Sequence, residues 1–544
     1  MRTRFLKRSF VHWILALGLL ANRGAVGATE PKLVVAIMVD QMRYDYLERF
    51  ASFFSTNGFR LLMDRGAFMT FGRYNYVPTV TGAGHASYLS GAGPAEHGII
   101  GNSWFDKVRR KNVYCVGDSS VEVVGSSSPD GGMSPRNLIG GNLADQMRLQ
   151  FGSKVISAAL KDRAAVLPGG KKPAGAYWYD GKTGRFVSST YYMAKLPPWV
   201  EAFNARQLPQ SYVGQVWKRL LPPEQYAYSD AGYGEGHLDG ETNSTFDHVV
   251  GGSANGFDGF FPTPFGDEYT TEFAMTALDA EGLGQGPHPD MLCLSFSSLD
   301  ACGHTFGPYS HEVQDLFIRL DRQLERLFAR IDQRIGLSNV VIVMSADHGV
   351  APTPEFASAM GLDGSRQGSG FMTDLMERLD KEYGAGKYFL APGLVNGHLY
   401  LNPDTLREKQ LSPATVAALI RDYALSTGFF QAGYTRDQLL EGRAPGWIGQ
   451  CVLNGYNAER GGDVVLVGKP YLLPGKKNSG TDHGSPYGYD TRVPILFYGA
   501  PFKPGRYADE FYVSDIAATL ATALRIEEPP LSIGKPCVRI LGER

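Results

Sequence analysis

The sequence predicts an α/β protein with a doubly wound, mostly parallel central sheet and helices on both faces of that sheet. Two observations support this class. Apolar runs rich in β-branched residues recur without strict alternation, as in strands that are covered on both faces. A long segment with helical apolar spacing separates two of these runs, which is the pattern of a strand–helix–strand crossover. The runs span 33–39, 154–160, 291–296, 340–344 and 492–498.

The crossover segment covers 311–336. Its apolar side chains recur every three or four residues, so we expect them to line the buried face of one long helix. Gly336 can end this helix, because glycine readily adopts the left-handed conformation of helix C-termini. The apolar positions are Val313, Leu316, Phe317, Leu320, Leu324, Leu327, Phe328, Ile331 and Ile335.

Two regions depart from this alternation. Residues from about 168 to 285 are rich in Gly, Tyr and Pro, and residues from about 355 to 480 combine short helices with Gly/Pro connections. Separate domains would explain them, but candidate site residues flank each region. We therefore interpret 29–544 as one domain with two insertions that cover the strand ends.

The N-terminus resembles a secretory signal peptide, which we assign to 1–28, with cleavage after Ala28. An uncleaved membrane anchor is the alternative, but the apolar stretch is shorter than the roughly 20 residues that span a bilayer. We therefore expect a periplasmic or secreted protein with no membrane attachment after cleavage. The basic residues that precede the apolar stretch are Arg2, Arg4, Lys7 and Arg8.

Charge and cysteine content exclude several classes of function. The formal net charge of −2 indicates neither a nucleic-acid partner nor a membrane surface, and we expect a monomer. Five scattered cysteines do not form a disulfide framework, and an odd number leaves at least one thiol unpaired within the chain. Cys293, inside an apolar run, is interpreted as a small buried side chain.

Acidic residues follow three of the apolar runs. Asp40 ends "LVVAIMVD", Asp300 ends "MLCLSFSSLD" with His304 four residues later, and Asp347–His348 ends "VVIVMSADHGV". One such Asp is often only a turn former or helix cap. Three converging carboxylates would repel each other unless cations neutralised them, and ligands bind beyond the carboxyl ends of parallel strands. Carboxylate oxygens and imidazole nitrogens suit Zn²⁺, and Mn²⁺ less well.

Two further residues are candidates for this site. His483 stands in the loop "DHGSP" before the run at 492–498; a lone histidine is usually structural, but this position favours ligation. Thr81 precedes Gly82 and a helix that we expect to begin with "HASYLSG". A helix N-terminus favours phosphate, and a metal would make the hydroxyl a nucleophile. An ordinary helix cap is the alternative for Thr81.

Seven motifs in this order resemble the alkaline phosphatase superfamily, in its nucleotide pyrophosphatase/phosphodiesterase-related branch, and within it the periplasmic PafA/PhoK type. They are "MVDQMRYDYL", "PTVTGAGHASYLSG", "HGIIGNSWFD", "LKDRAAVLPGG", "SLDACGHTFGP", "SADHGV" and "DHGSP". The resemblance implies an alkaline phosphatase-like fold with large inserted cap regions. It also implies two Zn²⁺ per chain.

The resemblance assigns roles to individual residues. Thr81 would be the nucleophile and a ligand of the second zinc; Thr79 is a rival, but the family's "T-x-x-[G/N]-H" arrangement matches 81–85. His85 is interpreted as structural. The zinc ligands implied are Asp300, His304 and His483 for one ion, and Asp40, Asp347 and His348 with Thr81 for the other.

Three polar residues complete the implied site. Asn102 corresponds to the family's amide donor to a phosphate oxygen. We expect Lys161 and Arg163 to lie on an extended segment, where side chains two residues apart share a face and can meet one phosphoryl group. A solvated charge cluster is the alternative. In this family the Lys/Arg pair marks monoesterases.

The resemblance therefore implies an alkaline phosphatase that hydrolyses small phosphate monoesters through a covalent phosphothreonine at Thr81 and releases inorganic phosphate. A phosphodiesterase or nucleotide pyrophosphatase would use the same two metals. A phosphoryl-group transferase fits less well, because such relatives are usually membrane-embedded. A non-catalytic phosphate- or metal-binding protein is the remaining alternative.

Overall fold

The computed structural model describes residues 30–127, 131–251, 256–367, 370–474 and 478–542. The signal peptide that we assigned to 1–28 lies outside the described residues. Within them, no helix is both long enough and apolar enough to cross a membrane.

Ten strands of the described chain form one central sheet. They are β1 (Leu33–Val39), β2 (Ala67–Arg73), β5 (Val123–Val124), β6 (Val155–Ala159), β7 (Gly175–Asp180), β8 (Arg185–Ser189), β11 (Asp290–Phe296), β12 (Val340–Ser345), β18 (Ile495–Tyr498) and β19 (Gly505–Tyr512). The short strands outside this sheet are β3 (Ser103–Asp106), β4 (Lys111–Tyr114), β9 (Val216–Trp217), β10 (His248–Val249), β13 (Ser365–Gln367), β14 (His398–Leu399), β15 (Phe430–Thr435), β16 (Val464–Gly468) and β17 (Leu472–Pro474).

The predicted α/β class is confirmed, and the sheet is mixed. Its strand order is β19-β2-β18-β12-β1-β11-β6-β7-β8-β5. The middle strands from β12 to β7 are parallel, and helices cover both faces. The apolar run at 492–498, which we expected in a parallel sheet, forms β18, and β18 is antiparallel to both neighbours. That expectation was wrong because an apolar run indicates burial and carries no information about strand direction.

The helices are α1 (Tyr46–Arg49), α2 (Phe59–Arg65), α3 (Thr81–Ser90), α4 (Pro94–His97), α5 (Leu143–Phe151), α6 (Asp162–Gly169), α7 (Pro198–Asn204), α8 (Leu208–Tyr212), α9 (Pro264–Ala280), α10 (Ser298–Phe306), α11 (His311–Ile335), α12 (Pro354–Ala359), α13 (Gly370–Tyr383), α14 (Pro403–Glu408), α15 (Pro413–Ser426), α16 (Arg436–Leu440), α17 (Gly446–Gly455), α18 (Gly488–Thr491) and α19 (Asp515–Leu524). The predicted long helix is α11, and it ends at Gly336, whose φ is 82°. Its predicted apolar face is buried from Val313 to Ile331.

The two regions that departed from the alternation differ in structure. Part of the first joins the central sheet as β7 and β8, and its helix α9 packs against α11. The second builds a three-stranded sheet of β14, β16 and β15, with an apolar cluster of its own that includes residues of α13 and α15. The insertion boundaries of about 168–285 and 355–480 stay predictions.

Candidate active site with two clusters of metal-ligating side chains

Four neighbouring parallel strands deliver most of the candidate side chains to one edge of the sheet. In spatial order, β12 is followed by Asp347, β1 by Asp40, β11 by the helix that carries Asp300, and β6 by Lys161. Since the strands are parallel and in register, their carboxyl ends meet at the same edge. The strand order thus brings together residues that are far apart in the sequence.

The first cluster consists of Asp300, His304 and His483. Asp300 and His304 lie one turn apart on α10, and Asp300 Oδ1 is 3.3 Å from His304 Nε2. His483 approaches from its loop, with Nε2 3.7 Å from the same carboxylate oxygen. Burial lowers the pKa of His483 to about 3, so its imidazole is neutral and can donate a lone pair.

The second cluster consists of Asp40, Asp347 and His348, all of which are buried. His348 Nε2 is 3.5 Å from Asp40 Oδ1 and 3.5 Å from Asp347 Oδ2. These three atoms have no hydrogen-bond partner among the described residues. Unpartnered buried polar atoms are costly, and two carboxylate oxygens facing one imidazole nitrogen are donors that suit Zn²⁺. The donor set therefore fits a bound cation.

The histidines of both clusters are oriented by backbone carbonyls. The Nδ1 atoms of His304, His348 and His483 lie 2.8–2.9 Å from the carbonyl oxygens of Thr481, Gly349 and Thr79, respectively. When Nδ1–H donates to a carbonyl, the lone pair stays on Nε2, which is the arrangement found in metal-ligating histidines. In each case Nε2 is the nitrogen that faces its cluster's carboxylates.

Lys161 joins the two clusters. Its Nζ donates to Asp40 Oδ2 at 2.6 Å and to Asp300 Oδ2 at 2.5 Å. Burial, together with the charges of Asp300 and Asp347, holds the pKa of Asp40 well above its usual value. Burial would also raise the pKa of Asp300, but the positive charges of Lys161 and His304 hold it well below its usual value.

Lys161 and Arg163 do not lie on an extended segment, so that part of our prediction was wrong. Lys161 is the N-cap of α6, and Arg163 lies in the first turn of this helix. The strand ends at Ala159, and the chain turns directly into the helix because a crossover helix must begin here. Both side chains nevertheless point toward the candidate site, with Arg163 Nη2 3.3 Å from Thr81 Oγ1.

Thr81 is the first residue of α3, so this helix begins earlier than the "HASYLSG" segment that we expected. The helix reaches the site because Gly84 has no side chain: a Cβ at this position would overlap the backbone of Asp347. Thr79 has a different environment. Its hydroxyl donates to the carbonyl of Ser485 at 2.9 Å, while its own carbonyl accepts from His483.

Asn102 and His85 lie beside Thr81. The carboxamide oxygen of Asn102 accepts the backbone N–H of Gly82 at 2.7 Å, which leaves its NH₂ group available for a ligand. His85 Nδ1 is 2.9 Å from the carbonyl oxygen of Thr81, and its Nε2 is 2.9 Å from Ser295 Oγ. Both ring nitrogens of His85 thus have protein partners, and Nδ1 also lies 3.3 Å from Asp347 Oδ2. A structural part for His85 stays a prediction.

Sequence reasoning missed Gln41, which connects the two clusters. Its backbone N–H donates to Asp347 Oδ1 at 3.0 Å, and its Nε2 donates to Asp300 Oδ1 at 2.7 Å. Gln41 is buried and has a backbone φ of 67°, which is unusual for a residue other than glycine. Gly303 leaves the space that the Gln41 carboxamide occupies, since a Cβ there would overlap Gln41 Oε1.

The chain is similar to known proteins over most of its length. A family model described as type I phosphodiesterase/nucleotide pyrophosphatase matches residues 34–490. Alkaline phosphatase PhoV of Synechococcus elongatus is 40% identical over 94% of this chain and 93% of that protein. Alkaline phosphatase PafA of Elizabethkingia meningoseptica is 36% identical over 97% of this chain and 99% of that protein. The crystal structure of wild-type PafA superposes with a TM-score of 0.90 at 35% identity, and covers 94% of this chain and 99% of that one.

Proposed function

The chain belongs to the type I phosphodiesterase/nucleotide pyrophosphatase family and is an alkaline phosphatase; from this premise we propose that it hydrolyses small phosphate monoesters through a covalent phosphothreonine at Thr81. We further propose that it is exported and binds two Zn²⁺ per chain. The observation that carries the proposal is that Lys161 contacts one carboxylate of each acidic cluster while its neighbour Arg163 contacts Thr81.

We propose that Asp300, His304 and His483 hold one cation, and that the second cluster holds the other together with the Thr81 hydroxyl. When bound, the two cations would lower the pKa of this hydroxyl and offset the charge that develops on the leaving oxygen. Gln41 would keep Asp300 and Asp347 in place for both ions, because it donates one hydrogen bond to each of these carboxylates.

The polar residues around Thr81 bind and orient the phosphoryl group in this proposal. The Arg163 guanidinium lies at the attacking hydroxyl, so it can reach the phosphoryl oxygens without moving far. The NH₂ group of Asn102 and the Lys161 ammonium supply the remaining donors. The terminal oxygens of a monoester carry more negative charge than those of a diester, so fixed positive charge favours the monoester transition state.

The reaction proceeds in two displacements. The Thr81 hydroxyl loses its proton, and Oγ forms a bond to phosphorus while the bond between phosphorus and the alcohol oxygen breaks. The departing alkoxide takes up a proton and leaves as the alcohol. Water then loses a proton as its oxygen bonds to phosphorus, the bond to Thr81 Oγ breaks and Oγ regains a proton, and inorganic phosphate leaves. Two displacements invert phosphorus twice, so its configuration is retained overall.

The test compares an aryl phosphate monoester with an aryl phosphate diester in the double variant Lys161→Ala/Arg163→Ala. We expect kcat/KM for the monoester to fall about 10³-fold or more, since removal of one preorganised donor costs about 10²–10³-fold. We expect kcat/KM for the diester to fall far less. Lys381→Ala/Arg407→Ala removes two exposed charges outside the site and is the matched control.

Equal losses on both substrates would remove the basis for calling the protein a monoesterase. Thr81→Ala should abolish turnover of the monoester, and Thr81→Ser should retain part of it because the hydroxyl is kept. Bound metal without turnover of any phosphate ester would instead point to a binding protein.

A further inference from the structure

A cavity of about 500 Å³ lies beside the first cluster. One side of it includes His483 and Val80, the residue that directly precedes Thr81. The other side is formed by the second of the two regions described above, through residues such as Phe371, Leu394 and Phe430. Its volume is in the range of small-molecule binding pockets. The cavity therefore continues the candidate active site into the inserted region.

Most of the side chains that line this cavity are apolar. Phe371 and Phe430 pack edge to face with their ring centroids 4.8 Å apart, and Leu394 belongs to the same apolar cluster. Such a surface releases water when an apolar group enters it, at a gain of roughly 0.8 kcal/mol per buried CH₂ group. The cavity is thus suited to binding an alkyl or aromatic group.

The charged groups that line the cavity do not form a receptor for a second anion. Lys469 and Asp482 are exposed, so they lie toward solvent. Asp490 is buried, and its Oδ2 accepts hydrogen bonds from the backbone N–H and the hydroxyl of Ser485 at 2.8 and 2.6 Å. No buried cation among the described lining residues faces this space.

The cavity adjoins the candidate site at His483. The nucleophile Thr81 contacts Arg163, and neither Arg163 nor Lys161 lines the cavity. In an in-line displacement the leaving oxygen lies on the far side of phosphorus from the nucleophile. His483 belongs to the first cluster and also lines the cavity, so we assign the first cluster and the cavity to the side of the leaving alcohol.

We propose that this cavity binds the alcohol portion of the substrate and makes the enzyme selective for phosphate monoesters of extended apolar alcohols, alkyl or aryl. This inference rests on the proposed function, because the alcohol portion is defined only if a monoester is cleaved at Thr81. Small or charged alcohols would leave the apolar walls uncovered and gain nothing from them.

The test measures kcat/KM for n-alkyl phosphates from methyl to hexyl, by release of inorganic phosphate. The alcohols of this series differ little in acidity, so their intrinsic reactivity as leaving groups stays nearly constant. We expect kcat/KM to rise about fourfold for each methylene that enters the cavity. A flat series in the wild-type protein, with normal turnover of methyl phosphate, would overturn the cavity assignment alone.

Two variants test whether the cavity causes the dependence of kcat/KM on the length of the alkyl chain. Leu394→Asp places a carboxylate in the cavity, and we expect the ratio of kcat/KM for hexyl phosphate to kcat/KM for methyl phosphate to fall at least tenfold. Leu440→Asp, at an exposed leucine of α16 that does not line the cavity, should leave the whole series unchanged. An unaltered series in Leu394→Asp would overturn the inference. Failure to hydrolyse any ester would overturn the proposed function and this inference with it.

Discussion

The bridge that Lys161 makes between Asp40 and Asp300 leads to a prediction about stability. Lys161→Met keeps most of the aliphatic side chain and removes its charge. The Lys161 side chain is 10% exposed, and those of its two partners are 0% and 7% exposed. Removal of one partner from a buried ion pair costs about 3–5 kcal/mol, because the other charge stays buried and uncompensated. In protein stripped of metal by a chelator, we therefore expect the unfolding free energy to fall by about 3 kcal/mol.

Bound cations should reduce the loss of unfolding free energy that Lys161→Met causes. They supply positive charge to the same carboxylates, so in zinc-loaded protein we expect Lys161→Met to cost less than about 1 kcal/mol. The assay is urea unfolding followed by tryptophan fluorescence, with and without zinc. Lys154→Met is the matched control: its partner Glu281 is 3.1 Å away and both side chains are partly exposed, so its small cost should not depend on metal. An equal loss for Lys161→Met in both states would refute the reasoning.

Two further predictions concern buried positions of the described chain, Gly303 and Asp267. Gly303→Ala should displace the Gln41 carboxamide from Asp300 and weaken zinc binding by about 10–100-fold in competition with a chelator, whereas Gly286→Ala in an open loop should not change it. Asp267 is buried with Oδ2 unpartnered, and burial raises the pKa of its carboxyl to about 7. A raised pKa in the folded state stabilises the protein below the unfolded pKa, and this contribution is lost as the pH rises through about 7. Asp267→Asn should therefore be about 2–4 kcal/mol more stable than wild type at pH 8 in urea unfolding, and similar at pH 4; a gain that does not change with pH would contradict this.

The central part of the fold was predictable because each of its strands and its long helix is marked by a pattern of apolar residues within its own segment. The runs that form β1, β11 and β12 are buried throughout, and the spacing in α11 marks its buried face. The antiparallel direction of β18 was not predictable, because strand direction depends on partners that are distant in the chain. β19 gave no apolar signal, since most of its residues are exposed or half-buried at the sheet edge.

The sequence predicted which site residues lie close together where their motifs directly follow predicted strands. Asp300 with His304, and Asp347 with His348, each combine an acid and an imidazole within one motif. The contact of Lys161 with Asp40 and Asp300 was not predictable, because it depends on the order of β1, β11 and β6 in the sheet. Gln41 gave no signal of its own, since its left-handed backbone cannot be inferred from a glutamine that follows an aspartate.

The position of β18 has a consequence for the order in which the chain can fold. This strand is made after both of its neighbours, β12 and β2, and β2 precedes it by more than 400 residues in the sequence. Until residues 495–498 are available, β2 has no partner on that side, and the facing edge of β12 stays open. Unpaired strand edges favour association between chains. A growing polypeptide therefore exposes these two strand edges until β18 has been made.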